Sequence, residues 1–171
     1  SDMILTELMG YARLSEGRVE RIDMKEELQG AIEEAFPPNH AFHVQLEKDL
    51  QEGLPPLMMQ RAHLREIMVN LLVNAREAAG ENGVVHISCR PSPDYAIELR
   101  IKDSGVGIPL DQREQIFEAY FTTKKKGTGL GLAIVKQNTE LYGGEIVVES
   151  ELGVGTEFIL TFPTRVLRQK N

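Results

Sequence analysis

Residues 66–79 read EIMVNLLVNAREAA, and the periodicity of this stretch decides the fold. At 3.6 residues per turn, each step of four advances roughly 40° around a helix axis, so Glu66, Asn70 and Asn74 form a slowly drifting polar row. Leu64, Ile67, Met68, Leu71, Leu72, Ala75 and Ala79 make a broad apolar face on one side of that row, and Val69 and Val73 lie on the other. An amide between apolar neighbours loses water, and leaving it unsatisfied costs about 1–3 kcal/mol. A lone mid-helix Asn ordinarily caps a loop or reaches solvent. Two amides one turn apart are spaced as ligand groups instead.

Working outward, 171 residues of which 42% are hydrophobic suit one domain with a sizeable core. Nineteen basic against 26 acidic residues give a net charge of -7, which repels a phosphate backbone and argues against nucleic acid as a partner. Cys89, the single cysteine, falls within an apolar alternation, so neither a disulfide framework nor a thiolate metal cage is expected. No apolar run approaches the roughly 18 residues of a membrane span, and no leader opens the chain. The piece reads as soluble, without membrane contact of its own. Ser1 is not a natural start, so a membrane-anchored parent chain is compatible with it.

Upstream, Ile4, Leu5, Leu8, Met9 and Ala12 recur at helical spacing before the stop Glu16-Gly17. Asp23 is placed to cap a helix over Met24–Ala35, with Glu26 and Glu27 near its positive end, and Phe36-Pro37-Pro38-Asn39 breaks it. Phe42, Val44 and Leu46 alternate as in a strand, and Gly53 to Pro56 turns the chain towards the polar-row helix, which Gly80 and Gly83 close. Val85, Ile87 and Cys89 alternate with His86, Ser88 and Arg90. Ile97, Leu99 and Ile101 alternate with Glu98, Arg100 and Lys102, giving a hairpin with one buried and one wet face. Leu130, Ala133, Ile134, Val135 and Leu141 mark a further helix ended by Gly143-Gly144, followed by strands over Ile146 to Glu149 and over Phe158, Leu160 and Phe162. The order implies an α+β fold, a two-layer sandwich with helices on one face of a mixed, mostly antiparallel sheet.

Two glycine-rich segments carry chemistry. Asp103-Ser104-Gly105-Val106-Gly107-Ile108 follows a strand directly. A carboxylate there can accept from an exocyclic amine, and glycines two apart let a flat ring or a phosphate approach the backbone, although the same residues also make a good turn. Gly127-Thr128-Gly129-Leu130-Gly131-Leu132 leads into a helix and exposes backbone N–H groups where the helix dipole is positive, which suits a polyphosphate. Its spacing is neither that of a dinucleotide fingerprint, which needs glycine at Leu132, nor that of a Walker loop. Between these segments lie Phe117, Tyr120, Phe121 and then Thr122-Thr123-Lys124-Lys125-Lys126. The aromatics are either lid anchors or ordinary core, and the lysines are either phosphate ligands or a solvated run.

The ordered set NLLVNAREAA, DSGVGI, FEAYFTTK, GTGLGLAIV and GVGTEF resembles the N, G1, F, G2 and G3 boxes of the ATP-binding catalytic domain of sensor histidine kinases, within the gyrase, Hsp90, histidine kinase and MutL superfamily. The resemblance covers about residues 20–163. It implies the Bergerat ATP-binding fold over 20–164, a remnant of the dimerisation and phosphotransfer helix with its linker over 1–19, and a tail over 165–171. By the same resemblance Asn74 ligates Mg²⁺, Asn70 sits by the ATP phosphates, and Asp103 accepts from the adenine amino group in a pocket shaped by Gly105, Gly107, Ile108 and Thr156. Gly127, Thr128, Gly129, Leu130, Gly131 and Leu132 line the phosphates, with Thr123 and Lys124 on a lid that closes over them. Asn70, Glu66 and Lys124 are the candidate catalytic residues. Implied partners are ATP, the histidine-bearing dimerisation domain of a homodimeric parent and, indirectly, a response-regulator receiver domain. The need for ATP implies the cytoplasm.

Two departures matter. Glu77 and Ala78 stand where many relatives carry Lys and an aromatic, and with the short TTK lid this leans towards the nitrogen-regulator type. None of His40, His43, His63 and His86 has the acidic residue and proline that follow a phospho-accepting histidine, so all four read as structural or surface groups. Rival readings are a gyrase-like ATPase, which the resemblance gives a Glu in place of Asn70, a serine kinase of the same superfamily, and a regulatory module that holds ATP without chemistry.

Overall fold

The computed structural model describes residues 17–122 and 129–164. The helix expected over Met3 to Leu14, the tail after Thr164, residues 123–126 of the expected lid (Phe117 to Lys126) and Gly127-Thr128 of the glycine-rich segment lie outside them. In chain order the elements are β1 (Val19–Ile22), α1 (Met24–Ala35), β2 (Gln45–Leu50), β3 (Leu57–Gln60), α2 (Arg61–Ala79), β4 (Val84–Ser92) and β5 (Ala96–Asp103). Two single 3-10 turns, Leu110–Gln112 and Gln115–Phe117, precede α3 (Gly131–Leu141), β6 (Glu145–Glu151) and β7 (Gly155–Pro163).

A five-stranded sheet runs in the order β2-β4-β5-β7-β6; β2 pairs with β4 in parallel and every other pairing is antiparallel. Period-2 alternation puts Val85, Ile87, Cys89, Ile97, Leu99, Ile101, Phe158, Leu160 and Phe162 on one face, where all are buried. Against them lie Leu28 and Ile32 of α1, Leu64, Met68, Leu71 and Leu72 of α2, and Val135 of α3. Burying each such side chain stabilises the fold by about 1.5–3 kcal/mol. The two-layer arrangement with helices on one face is therefore as expected. Within the core, burial pushes the Cys89 thiol up to about 12, so it stays protonated.

Helix α1 starts where its chemistry says it should: the Asp23 carboxylate accepts from Glu26 N–H at 3.2 Å. Glu27, buried on α1, takes Arg65 of α2 at 3.0 Å and also Arg61, which fastens the two helices. Helices α2 and α3 run in opposite senses. Tyr142, just past α3, meets His63 at the start of α2 with a 2.5 Å contact, and Gly131 at the start of α3 meets Asn70 farther along α2. His63 is fully buried, and burial lowers its pKa.

Two expectations are corrected. The strand expected over Phe42 to Leu46 begins only at Gln45 and runs on through Glu47-Lys48-Asp49. Phe42 stacks on His40 and lies beneath the Arg76 guanidinium, 4.4 Å from its ring centre, so its apolar character serves a loop contact. The chain from Gly53 to Pro56 does not lead straight into α2, because Leu57–Gln60 first forms β3, which pairs antiparallel with β1 in a separate ribbon.

Candidate nucleotide site

Asn70 and Asn74 lie half-buried on α2, one turn apart, with Glu66 one turn before them. Asn70 Nδ2 donates to the Glu66 carbonyl at 2.8 Å and lies 3.5 Å from the Glu66 carboxylate, so its amide protons are drawn back along its own helix. Its Oδ1 faces the first residue of α3. A Cβ at Gly131 would come within 2.9 Å of that oxygen, so the absence of a side chain is what lets the start of α3 close on the polar row. The first-turn N–H groups of a helix have no intrahelical acceptor, and here they start beside the Asn70 amide oxygen. Leu130 is buried, and Leu132 packs on the core beside it. Gly129, adjacent in sequence, has φ +76° and its carbonyl accepts from Tyr120 N–H at 2.8 Å. Of the residues expected to contact phosphate, Thr123, Lys124, Gly127 and Thr128 fall outside the described residues.

The second half of the site forms at the end of β5. Alternation carries Asp103 onto the core face with Ile101, and it is 2% exposed. Its Oδ1 accepts from Gly105 N–H at 2.8 Å, and Thr156 N–H also reaches the carboxylate. Burial pushes its pKa above the ordinary aspartate value, and these two N–H groups pull the other way. Gly105 rests on the Ala78 carbonyl near the end of α2, so the loop after β5 and the polar-row helix are in contact. Thr156 stands opposite Asp103 in the β5–β7 pairing. Gly107 closes on Glu151, and Ile108 N–H donates to Ser150 Oγ at 2.8 Å. The structure thus brings Asp103, Gly105, Gly107, Ile108 and Thr156 together at one place.

Two further residues meet this place. Ser150 sits opposite Thr156 on β6, a contact seen only once β6 and β7 are paired, and Gly155, within the GVGTEF segment but given no role there, touches Asp103. A Cβ on Gly155 would lie 2.0 Å from the Asp103 carbonyl, on a residue with φ +147°. Gly155→Ala is accordingly expected to cost about 3 kcal/mol of stability, combining overpacking with backbone strain, as read by urea denaturation. An unchanged urea midpoint would refute the close approach.

On the other face of the sheet a shallow trough of about 740 Å³ is lined by Glu47, His86, Arg90, Arg100, Lys102 and Glu157 among others. Its arginines are engaged along the sheet: Arg100 bonds Glu98 at 2.6 Å and Glu157 at 3.2 Å, and Arg90 bonds Glu98 at 3.1 Å. The Arg100 hydrogen bond holds the Glu98 carboxyl below its usual range. This is a solvated outer face, and both halves of the site belong to the helical side.

Residues 59–166 match the family of histidine kinase-, DNA gyrase B- and HSP90-like ATPases. Sensor histidine kinase ZraS of Escherichia coli K12 is 31% identical over 166 residues, which cover 97% of this chain and 36% of that protein. Sporulation kinase E of Bacillus subtilis is 30% identical over 164 residues, covering 96% and 22%. Among solved structures, the mycobacterial sensor histidine kinase MprB aligns with a TM-score of 0.76 at 28% identity, covering 86% of this chain and 98% of that one. Full-length ShkA in complex with AMPPNP aligns with a TM-score of 0.80 at 28% identity, covering 94% and 35%. The chain belongs to the histidine kinase-, DNA gyrase B- and HSP90-like ATPase family. The chain spans about a third or less of the two curated relatives named above, which are kinases.

Proposed function

We propose that this domain transfers the γ-phosphate of ATP to a histidine on a separate helical domain of a homodimeric parent, from which a response-regulator receiver domain then takes it. The single observation that carries this reading is the meeting of Asn70 with Gly131, which sets the positive end of α3 beside an amide row in contact, through Gly105, with the Asp103 pocket. Asp103 and Thr156 hold the adenine end. Glycines 127, 129 and 131, with Thr123, Thr128 and Lys124, receive the phosphates.

Asn74 is the protein ligand for Mg²⁺. An amide oxygen is a hard donor, and the described residues contain no group of three His, Cys, Asp or Glu side chains fit to hold a metal by themselves. That donor set fits an ion whose other ligands are phosphate and water. When bound, Mg²⁺ neutralises phosphate charge. The chain's own contribution is positioning and electrostatic stabilisation, which is most of what phosphoryl transfer requires. An amide at position 70 cannot take a proton from water, so hydrolysis is slow and the phosphate waits for the partner imidazole. Glu66 is close enough to Asn70 to assist it. With ATP as substrate, the domain works in the cytoplasm. In this reading the chain up to residue 19 carries the remnant of the dimerisation helix and its linker, which passes into β1 at Val19, and 20–164 form the catalytic unit.

The test is transfer from γ-labelled ATP, comparing the chain alone with the chain plus the histidine-bearing helical segment of its parent. Label confined to the added segment, lost in acid and kept in base, is the expected result. Self-labelling or rapid release of phosphate would replace this reading with a serine kinase or an ATPase, and ATP binding without either would leave a nucleotide-holding module.

A further inference from the structure

Ser150 is in β6, directly opposite Thr156 of β7, and its hydroxyl lies within reach of three groups. The Ile108 N–H is at 2.8 Å, the Gly155 carbonyl at 3.0 Å and the Thr156 hydroxyl at 2.8 Å. A serine hydroxyl has one proton and two lone pairs. Ile108 N–H can only donate, so it occupies one lone pair. The Gly155 carbonyl can only accept, so it takes the proton. Thr156 must then donate into the remaining lone pair. No other arrangement makes all three bonds at once.

We propose that Ser150 is a specificity-determining positioning residue, which by drawing the Thr156 proton to itself leaves Thr156 an oxygen acceptor beside Asp103 and so admits a 6-amino purine while rejecting a 6-oxo purine. The proposal rests on the reading of Asp103 and Thr156 as the adenine end of the site. Those two residues face each other in register, and the ionised carboxylate can only accept. With Thr156 also committed to accepting, the wall offers lone pairs to whatever stands at C6 of the base. An amine satisfies them, whereas a carbonyl oxygen is set against them. Without the Ser150 hydroxyl, the Thr156 rotor is released and can turn its proton towards a 6-oxo group. The Ser150 backbone is held independently, since its carbonyl accepts from Arg113 and β6 is paired with β7 along its length. Removing the hydroxyl therefore acts on the bonds just counted.

The experiment is calorimetric binding of ADP and of inosine diphosphate, which has a 6-oxo base, to the full 171-residue chain and to Ser150→Ala, Thr156→Val and the double variant, with thermal midpoints recorded for each. Ser150→Ala is expected to reduce the ADP preference about tenfold, with inosine diphosphate losing less affinity than ADP or gaining some. In the Thr156→Val background the same substitution is expected to leave the preference where it stands. An unchanged preference in Ser150→Ala, or an equal reduction whether or not Thr156 has its hydroxyl, would overturn the assignment, because a merely structural serine weakens both nucleotides alike. Should Ser150→Ala fail to fold, Ser150→Cys carries the same comparison with a thiol of similar size that holds protons only weakly. ADP affinity indifferent to Asp103→Asn would remove the nucleotide reading itself, and the Ser150 assignment with it.

Discussion

Asp103→Asn is expected to weaken ATP binding about 100-fold while leaving the folded domain as stable as before, or more so. The two effects have one origin. Asp103 is nearly excluded from solvent, and burial raises its pKa, which means that holding it ionised costs folding free energy at neutral pH. Gly105 and Thr156 N–H groups offset part of that cost. An asparagine oxygen can still accept from Gly105, so the variant keeps the local turn and loses the buried charge. Towards ligand the balance reverses. A charged acceptor for an exocyclic amine is worth about 1.5–3 kcal/mol, and an asparagine that turns its own NH₂ to the amine adds a donor–donor clash.

The pH dependence follows in sign. Because the folded-state pKa lies above the unfolded value, the native wild type binds a proton more readily in the window between the two. Its stability relative to Asp103→Asn is therefore poorest above the folded pKa and recovers as pH falls through that window. Thermal midpoints of the two proteins measured against pH should converge on acidification. A variant that binds ATP normally, or one whose midpoint falls well below that of the wild type at neutral pH, would show that Asp103 serves the fold and not the nucleotide.

What could be read from the sequence was whatever is locally determined. Helix α1 was placed to the residue because Asp23 caps it three positions from the N–H it accepts, a relation carried within the segment. Strands β4, β5 and β7 were legible because one face of each is buried and the other wet, so the alternation survives in the residue types. The β1–β3 ribbon was missed because four-residue strands carry too short a pattern to distinguish from loop. Strand β2 was displaced because it is an edge strand: Glu47, Lys48 and Asp49 are exposed, and its pairing is visible only beside β4. Phe42 then supplied a misleading apolar beat, being held by Arg76 of α2.

The candidate site divides in the same way. Asn70, Asn74, Asp103 and the glycines are spaced within single segments, and the structure brings Asn70 to Gly131 and Asp103 to Thr156. Ser150 acts through contacts between strands, for which a single sequence has no periodic signal, and Gly155 was quoted within a motif whose spacing does not say which strand it meets.

Asn74→Ala is expected to abolish phosphate transfer, by at least about 1000-fold, without a comparable loss of stability. Asn74 is half-buried and points from the same row as Asn70, so truncating it removes no large apolar contact and leaves the apolar face of α2 intact. What it removes is the one side-chain oxygen assigned to Mg²⁺, an ion that takes few protein ligands and has none to spare. The metal dependence separates this from a general weakening. Wild-type affinity for ATP should fall when Mg²⁺ is chelated, whereas Asn74→Ala should bind with the chelated affinity whether or not Mg²⁺ is present, measured by calorimetry at fixed ionic strength. Asn74→Asp, which restores an oxygen at the same reach, should recover much of the Mg²⁺ response. If Asn74→Ala retained the full Mg²⁺ increment, the metal would have to be held elsewhere, and Asn70 would be the next residue of the row to test. Its oxygen already faces Gly131, and its amide is committed to Glu66. With its protons held there, Asn70 has only lone pairs to offer, which phosphate oxygens cannot use but a cation or a water can, and this is why it is the residue the second test takes.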